Sequence, residues 1–358
     1  MSITFELGDF YDQENNTNNL TTYIVDPRTL PCEPKLLVPT TAVAMCLIHI
    51  TIFFLAIPGN LLVGWVIAAN WQAMSPSDVY LFHLTLADGL LALALPFWAV
   101  DAIRGWIFGD FLCKVISITI EANFYTSILF LACISIDRYL AIVRAAETRK
   151  DRQQLCSWIV CASVWIVGSA LALPALFNDA FKPENDSKRM VCSERYDFGS
   201  ATLWRRMTRG LRHILGFLLP LVVMLTCYGI TITRLLRTRG FQKHRAMRVI
   251  VAVVIAFLLC WTPYHLTVIV DTLMRADVVP FTCAVRNRVD MALQVTHSLA
   301  LLHSCINPVL YAFVGAKFRK NLRLLVEKNF RQERKSVSRS SSRSRSTSQT
   351  SEGNGALF

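Results

Sequence analysis

What this chain of 358 residues has least of is charge: Asp, Glu, Lys and Arg make up 17% of it, against 53% hydrophobic residues. Soluble domains carry about a quarter charged residues, so an ordinary soluble globule is excluded and a membrane protein is implied. Acids are scarcer than bases, 25 against 37. Within the apolar stretches they are too sparse for the clustered acids, histidines or cysteines of a catalytic centre, and no enzyme is expected. No Cys-x-x-Cys or paired-histidine spacing suggests a zinc site. Internal repeats, the usual mark of a transporter, are missing. Residues 1–39 lack both a basic leader and a continuous apolar run, so no signal peptide is visible and the first apolar stretch is expected to target itself. No cysteine follows Cys305, which excludes palmitoylation beyond it.

What the chain does have is seven apolar stretches, near Ala42–Ala69, Val79–Val100, Cys113–Val143, Leu155–Phe177, Leu211–Leu236, Ala246–Thr272 and Val289–Val314. Each is long enough for a helix of roughly 20 residues spanning a bilayer. The expected fold is an all-α membrane protein, a seven-transmembrane helix bundle over residues 41–314. Net charge is +12, unevenly spread: residues 1–40 carry six acids against Arg28 and Lys35, while the loops Arg144–Arg152 and Arg234–Arg248 and the region after 315 are basic. Basic segments stay cytoplasmic, so residues 1–40 are expected outside and the C-terminus inside. Sequons at Asn15, Asn19 and Asn185 then fall on outside segments as glycan sites. Residues 315–330 alternate Leu322, Leu325 and Val326 with Lys and Arg, a short amphipathic helix on the cytoplasmic membrane surface. Residues 331–358, Ser/Arg-rich, are expected to be a disordered tail dense in phosphorylation sites. The basic tail is expected to meet anionic lipid rather than nucleic acid.

Polar groups inside spans need internal partners. Asp137 and Arg138 would each cost about 2.5–3.5 kcal/mol at midplane depth, so they are placed at the water boundary, facing protein. Asn60 and Asp88 lie within spans, and an intramembrane acid is by default functional. Prolines at 96, 174, 220, 263 and 308 each remove a backbone hydrogen bond and mark bends. Of eleven cysteines, Cys32, Cys113, Cys192 and Cys283 lie on outside segments, where an oxidising environment favours disulfides.

The string Ser135-Ile136-Asp137-Arg138-Tyr139-Leu140-Ala141-Ile142-Val143, with Cys260-Trp261-Thr262-Pro263 and Asn307-Pro308-Val309-Leu310-Tyr311, resembles rhodopsin-class G-protein-coupled receptors. Trp106-Ile107-Phe108-Gly109, Gln242-Lys243-His244-Arg245-Ala246-Met247-Arg248, Asp271-Thr272-Leu273-Met274-Arg275 and His303-Ser304-Cys305-Ile306 bring the resemblance closest to CXC chemokine receptors of the interleukin-8-receptor type, over nearly all of residues 32–330.

The resemblance implies a plasma-membrane receptor without cofactor that binds an extracellular CXC chemokine, couples to inhibitory-class heterotrimeric G proteins in leukocyte chemotaxis, and is handled by receptor kinases and arrestin. It implies disulfides Cys113–Cys192 and Cys32–Cys283. The ligand-binding set is Tyr11 (as a sulfation site), Arg205, Arg209, Asp271, Arg275 and His297, suited to a Glu-Leu-Arg-type ligand. The transmission core is Ile128, Pro220 and Phe257. Coupling and activation fall to Asp137, Arg138, Tyr139, Tyr228, Trp261, Asn307, Pro308 and Tyr311, with an Asp137–Arg138 pair holding the resting state. An allosteric sodium ion would lie among Asp88, Asn123, Ser127, Ser304 and Asn307. Two residues depart from the pattern: Ala94 stands where Thr is usual before Pro96, and His297 where many chemokine receptors have glutamate. Lys243 is basic, so it forms no ion pair with Arg138. A scavenging receptor without G-protein signalling, or another peptide receptor, are the alternatives. The terminal Ala356-Leu357-Phe358 has the form of a PDZ-binding end.

Overall fold

A computed structural model describes residues 39–144, 150–182, 189–195, 201–236, 241–276, 278–279, 282–314 and 318–328. Its elements are α1 (Pro39–Ala68), α2 (Pro76–Arg104), α3 (Gly109–Tyr139) running into a π-helical turn at Leu140–Arg144, α4 (Lys150–Ala172), β1 (Asn178–Phe181) and β2 (Val191–Glu194). There follow α5 (Ala201–His213), a π-helical turn at Ile214–Leu218, α6 (Leu219–Leu236), α7 (Phe241–Arg275), α8 (Cys283–Leu301), α9 (His303–Val314) and α10 over residues 318–328. α10 places Phe318 against the core and leaves Leu324 and Val326 exposed.

Six helices are by themselves long and apolar enough to cross a bilayer: α1, α2, α3, α4, α5 with α6, and α7. The seventh span is α8 with α9, divided at Leu302. There three successive side chains turn back on the backbone: His303 Nδ1 to the Ala300 carbonyl at 2.8 Å, Ser304 Oγ to Leu301 at 2.8 Å and Cys305 Sγ to Leu302 at 3.2 Å. Such bonds compete with the regular ladder and bend it. Pro308 has no amide to offer the Ser304 carbonyl four residues back. Asn60 Nδ2 from α1 takes that carbonyl instead, at 2.9 Å. Gly59 permits the approach, since a Cβ there would sit 2.9 Å from Pro308 Cγ.

Every span begins earlier than hydropathy indicates, by the most at Ala201 rather than Leu211 and at Cys283 rather than Val289, and by five residues at Lys150 and at Phe241. Apolar content stops where charge starts, whereas the helical ladder satisfies backbone groups whatever the side chains. The added turns of α5 and α8 carry the arginines of the site below.

The spans pack on small residues. A Cβ on Gly216 would lie 2.3 Å from Phe124 Cε1, and one on Gly168 2.5 Å from Thr126 Cγ2, so α3 closes on its neighbours as glycine interfaces in membranes allow. Gly216→Ala is expected to destabilise the bundle by about 1–3 kcal/mol, the usual penalty of overpacking. A thermal-unfolding scan of detergent-solubilised protein checks it, and an unchanged midpoint would contradict the packing described.

Two buried clusters form the core. One surrounds Phe124, Ile128, Phe130, Met224, Phe257 and Trp261, the other Ile52, Leu91, Leu95, Trp106, Cys113 and Leu301. Large apolar side chains such as Leu61, Ile166 and Leu259 point outward, as a lipid-facing surface requires.

At the Cys113 end the strands pair antiparallel with Ala180 opposite Cys192, a hairpin the sequence reading did not foresee. Cys113–Cys192 bonds it to α3 with Cα atoms 5.6 Å apart. Arg189 Nη2 donates to the Asp101 and Ala102 carbonyls at 2.6 and 3.0 Å, closing the C-terminus of α2 with a cation. Trp106, buried, receives its place from its own amide bonding Met190 O and its indole bonding Gly109 O, each at 2.8 Å. That gives the Trp106-Ile107-Phe108-Gly109 stretch a structural role: it seats the hairpin.

Candidate ligand pocket and activation core

At the Cys113 end, Asp271 of α7 is fully buried and is held by three guanidinium groups. Arg209 Nη1 lies 2.6 Å from Oδ2, Arg275 Nε 3.0 Å from Oδ2 and Arg286 Nη1 2.9 Å from Oδ1. Arg286 also reaches Asp290 at 3.0 Å. Three cations against two carboxylates leave one positive charge over, and Arg275 keeps 38% of its side chain exposed. Arg205 stands beside Glu194 of β2 at 3.9 Å. The expected residues Arg205, Arg209, Asp271 and Arg275 therefore meet in one place. Arg286 was missed because a lone arginine two residues before another, Arg288, in a polar stretch reads as a solvated face; only its position one helical turn before Asp290 hinted at a pair.

Deeper, Arg212 grips Glu121 of α3 with both oxygens, Nε to Oε1 at 3.0 Å and Nη2 to Oε2 at 2.6 Å, and its Nη1 donates to Tyr264 Oη at 2.9 Å. His297 lies apart from the arginine cluster, its ring 5.9 Å from Trp98 and 5.3 Å from Tyr264. Below it His213 and His265 share a hydrogen bond between Nδ1 atoms at 2.8 Å, which requires one donor and one acceptor ring. None of Glu121, Arg212, Tyr264, His213 or His265 was singled out by the sequence.

The floor is aromatic. Trp261 is 4.6 Å from Phe124 and 5.9 Å from Phe257, and 5.4 Å from His303, centroid to centroid. Ile128, Pro220 and Phe257 are all buried, and Ile128 and Phe257 belong to the same cluster as Trp261.

Beneath it Asp88, fully buried, accepts from Asn307 Nδ2 at 2.8 Å, Ser127 Oγ at 3.1 Å and Asn123 Nδ2 at 3.4 Å. His303 Nε2 stands 3.5 Å from its Oδ1; since a carbonyl only accepts, the Nδ1 facing Ala300 carries a hydrogen. His303 thus touches both Asp88 and Trp261, a link the sequence did not reveal. The Ser304 hydroxyl, expected here, is spent on its own helix. A sodium ion needs oxygens turned toward it. In this arrangement two carboxamide NH2 groups and the Ser127 hydroxyl donate to Asp88, while the carboxylate, the hydroxyl and the amide groups of Asn123 and Asn307 supply oxygens of the kind sodium takes.

At the opposite end Asp137, half-buried, accepts from the Ser77 hydroxyl. Among the described residues no ion pair joins Asp137 to Arg138, which corrects the expected resting restraint: Ser77, held within the first turns of α2 by the Ser75–Asp78 capping box, competes for the carboxylate. Tyr228 Oη shares a 2.5 Å hydrogen bond with Ser135. Tyr139 is half-buried and Tyr311 lies in α9.

Cys283 is disulfide-bonded; Cys32, its expected partner, lies outside the described residues, as do Tyr11, Asn15, Asn19, Asn185 and the tail from 329.

Acids and arginines at one end, an aromatic cluster, a buried acid and Arg138 in the last turn of α3 are thus spread along the bundle. Comparison with known proteins agrees with that layout. Residues 59–311 match the family model of the 7 transmembrane receptor (rhodopsin family). The chain is 47% identical to C-X-C chemokine receptor type 2 of Homo sapiens over 326 residues, covering 90% of this chain and 88% of the relative. It is 50% identical to C-X-C chemokine receptor type 1 of Homo sapiens over 269 residues, 75% and 76% of the two chains, and 47% identical to the type 2 receptor of Gorilla gorilla gorilla over 88% and 89%. The chain belongs to the rhodopsin family of seven-transmembrane receptors, within its CXC chemokine receptor group, and is a multi-pass membrane protein, not an enzyme.

Proposed function

We propose that this protein is a plasma-membrane receptor for CXC chemokines of the Glu-Leu-Arg type, with its Cys113 end outside, signalling through inhibitory-class heterotrimeric G proteins in leukocyte chemotaxis. The observation that carries this reading is the surplus positive charge at Asp271: three guanidinium groups share two carboxylates, which suits one further carboxylate from a ligand by charge-assisted pairing. The acidic residues 1–40 complement a basic ligand and steer its approach, after which the ligand's leading segment enters the bundle.

Binding then biases an existing equilibrium. Repacking of Trp261 against Phe124, Phe257 and His303 lets α7 pivot at Pro263 and opens the rim beside Arg138 to the G protein. Phosphorylation between Ser336 and Ser351 by receptor kinases reverses local charge and recruits arrestin. An unaltered Asp137-Arg138-Tyr139 favours signalling over scavenging.

Calcium flux in cells expressing the protein, measured for single chemokines with and without pertussis toxin, tests the reading. A Glu-Leu-Arg chemokine is expected to give a toxin-sensitive rise. Ligand uptake with no flux at all would make it a scavenger. Arg138→Gln, at matched surface level, is expected to abolish the flux while ligand binding stays within about threefold of wild type; undiminished coupling would refute the role of Arg138.

A further inference from the structure

Between α3 and α6, among the described residues, one side-chain hydrogen bond crosses the interface, joining Ser135 Oγ to Tyr228 Oη at 2.5 Å. Its surroundings are apolar, with Leu131, Ile134 and Met224 in the same cluster as Tyr228. A second contact fixes which hydroxyl gives the hydrogen. Ser135 Oγ also lies 2.7 Å from the Leu131 carbonyl, four residues back in its own helix, and a carbonyl only accepts. Serine has one hydrogen to give, so it goes to Leu131, and the Tyr228 phenol is the donor to Ser135. Ser135 is thereby a fixed acceptor, oriented by its own helix. The one hydrogen of the phenol is committed to it.

Both groups are buried, Ser135 0% and Tyr228 6% exposed, and a buried donor that loses its partner is unfavourable. An O–H···O bond reaches only about 2.5–3.0 Å, so a separation of the helices by about 1 Å breaks it. The bond therefore exists only while α6 lies against α3. Ser135 stands three residues before Arg138, less than one helical turn, which puts the bond at the rim itself. No acid among the described residues forms an ion pair with Arg138, and Asp137 is taken by Ser77. The polar restraint that the motif suggested for Asp137 and Arg138 has a different carrier at this end. We propose that Ser135 is a positioning residue for activation: its hydroxyl holds the Tyr228 phenol, and through it α6, against α3, and this bond breaks when the rim beside Arg138 opens. This rests on the reading of the protein as a signalling receptor, which assigned Tyr228 to activation but gave Ser135 no part in it.

Two measurements on the full chain decide it: basal GTP loading of an inhibitory-class G protein in membranes at matched receptor level, and amide hydrogen exchange over residues 226–234 of α6 in detergent-solubilised protein. Ser135→Ala leaves the phenol without its acceptor while α6 is against α3. It is expected to raise basal GTP loading about fivefold, the worth of one neutral hydrogen bond, and to speed amide exchange at α6 by a similar factor. Neither effect should follow when Ser135→Ala is added to Tyr228→Phe, which has no phenol to hold. A packing role for Ser135 would instead give the same change on both backgrounds. That result overturns the proposal, and so do unchanged loading and exchange in Ser135→Ala alone. If Ser135→Ala does not reach the surface, Tyr228→Phe loses the same bond and must itself speed exchange at α6; unchanged exchange there overturns the proposal equally. A wild type that answers no chemokine, with Ser135→Ala still speeding exchange, removes the receptor reading and leaves the latch. A responding wild type whose Ser135→Ala variant is indistinguishable from it removes only the latch.

Discussion

Replacing Asp271 by asparagine is expected to lower ligand binding by roughly two to three orders of magnitude, the largest effect of any single change in the pocket. The carboxylate is fully buried and is shared by Arg209, Arg275 and Arg286. Asparagine removes the charge at constant size and leaves three guanidinium groups facing one another with only Asp290 nearby. Removing one partner of a buried pair costs about 3–5 kcal/mol of stability, so the guanidinium groups move apart and lose the geometry that receives the ligand's carboxylate, and every 1.4 kcal/mol that binding must spend to restore it is tenfold in affinity. Saturation binding on intact cells, normalised to surface antigen, measures it. Asp271→Glu, which keeps the charge, should recover most of the loss. Binding within threefold of wild type in Asp271→Asn would show that the arginines hold their places without this acid.

The second large effect is expected at Asp88, and in signalling rather than binding. Its two oxygens accept from Asn307, Ser127 and Asn123. Asparagine has one acceptor oxygen and brings two donors of its own, so at least one of the three donors loses its partner inside the bundle, at about 1–3 kcal/mol. Because His303 touches both this acid and Trp261, the disturbance reaches the aromatic floor. Asp88→Asn should therefore reach the surface and bind ligand near wild-type affinity while its maximal calcium response falls at least about tenfold. A wild-type response would separate the Asp88 cluster from activation.

Much of this was legible in the linear chain. Seven apolar runs, an acidic head and a basic tail require an odd number of crossings, since each crossing helix must satisfy its own backbone. Asp88 was readable as an acid that must find an internal partner, whereas Asn123, Ser127 and Asn307 were readable as those partners only through resemblance. Arg205, Arg209, Asp271 and Arg275 were readable only through resemblance, since charged residues near span ends look like any interfacial set. Arg286, Arg212, Glu121, Tyr264 and His303 were not legible at all. Their partners lie on other spans, and spacing along one helix carries no information about what faces it across the bundle.

Two expectations failed for the same reason. Ser304 was expected on Asp88, and Asp137 on Arg138, from adjacency in motif or chain. In the folded molecule Ser304 bonds Leu301, three residues back in its own span, and Asp137 accepts from Ser77 of α2. A hydroxyl or a carboxylate takes whichever partner packing presents, and neighbours in sequence have no priority.

By itself, then, the order of residues determined that this polypeptide crosses a membrane seven times, where each crossing lies to within a few turns, and which polar groups would be costly unless paired; hydropathy and backbone hydrogen bonding are local, so they can be read locally. Only the tertiary structure decided which acid holds which arginine, that Asn60 closes the gap left by Pro308, and that His303 joins the buried acid to Trp261, because those contacts exist only where one span's side chains meet another's.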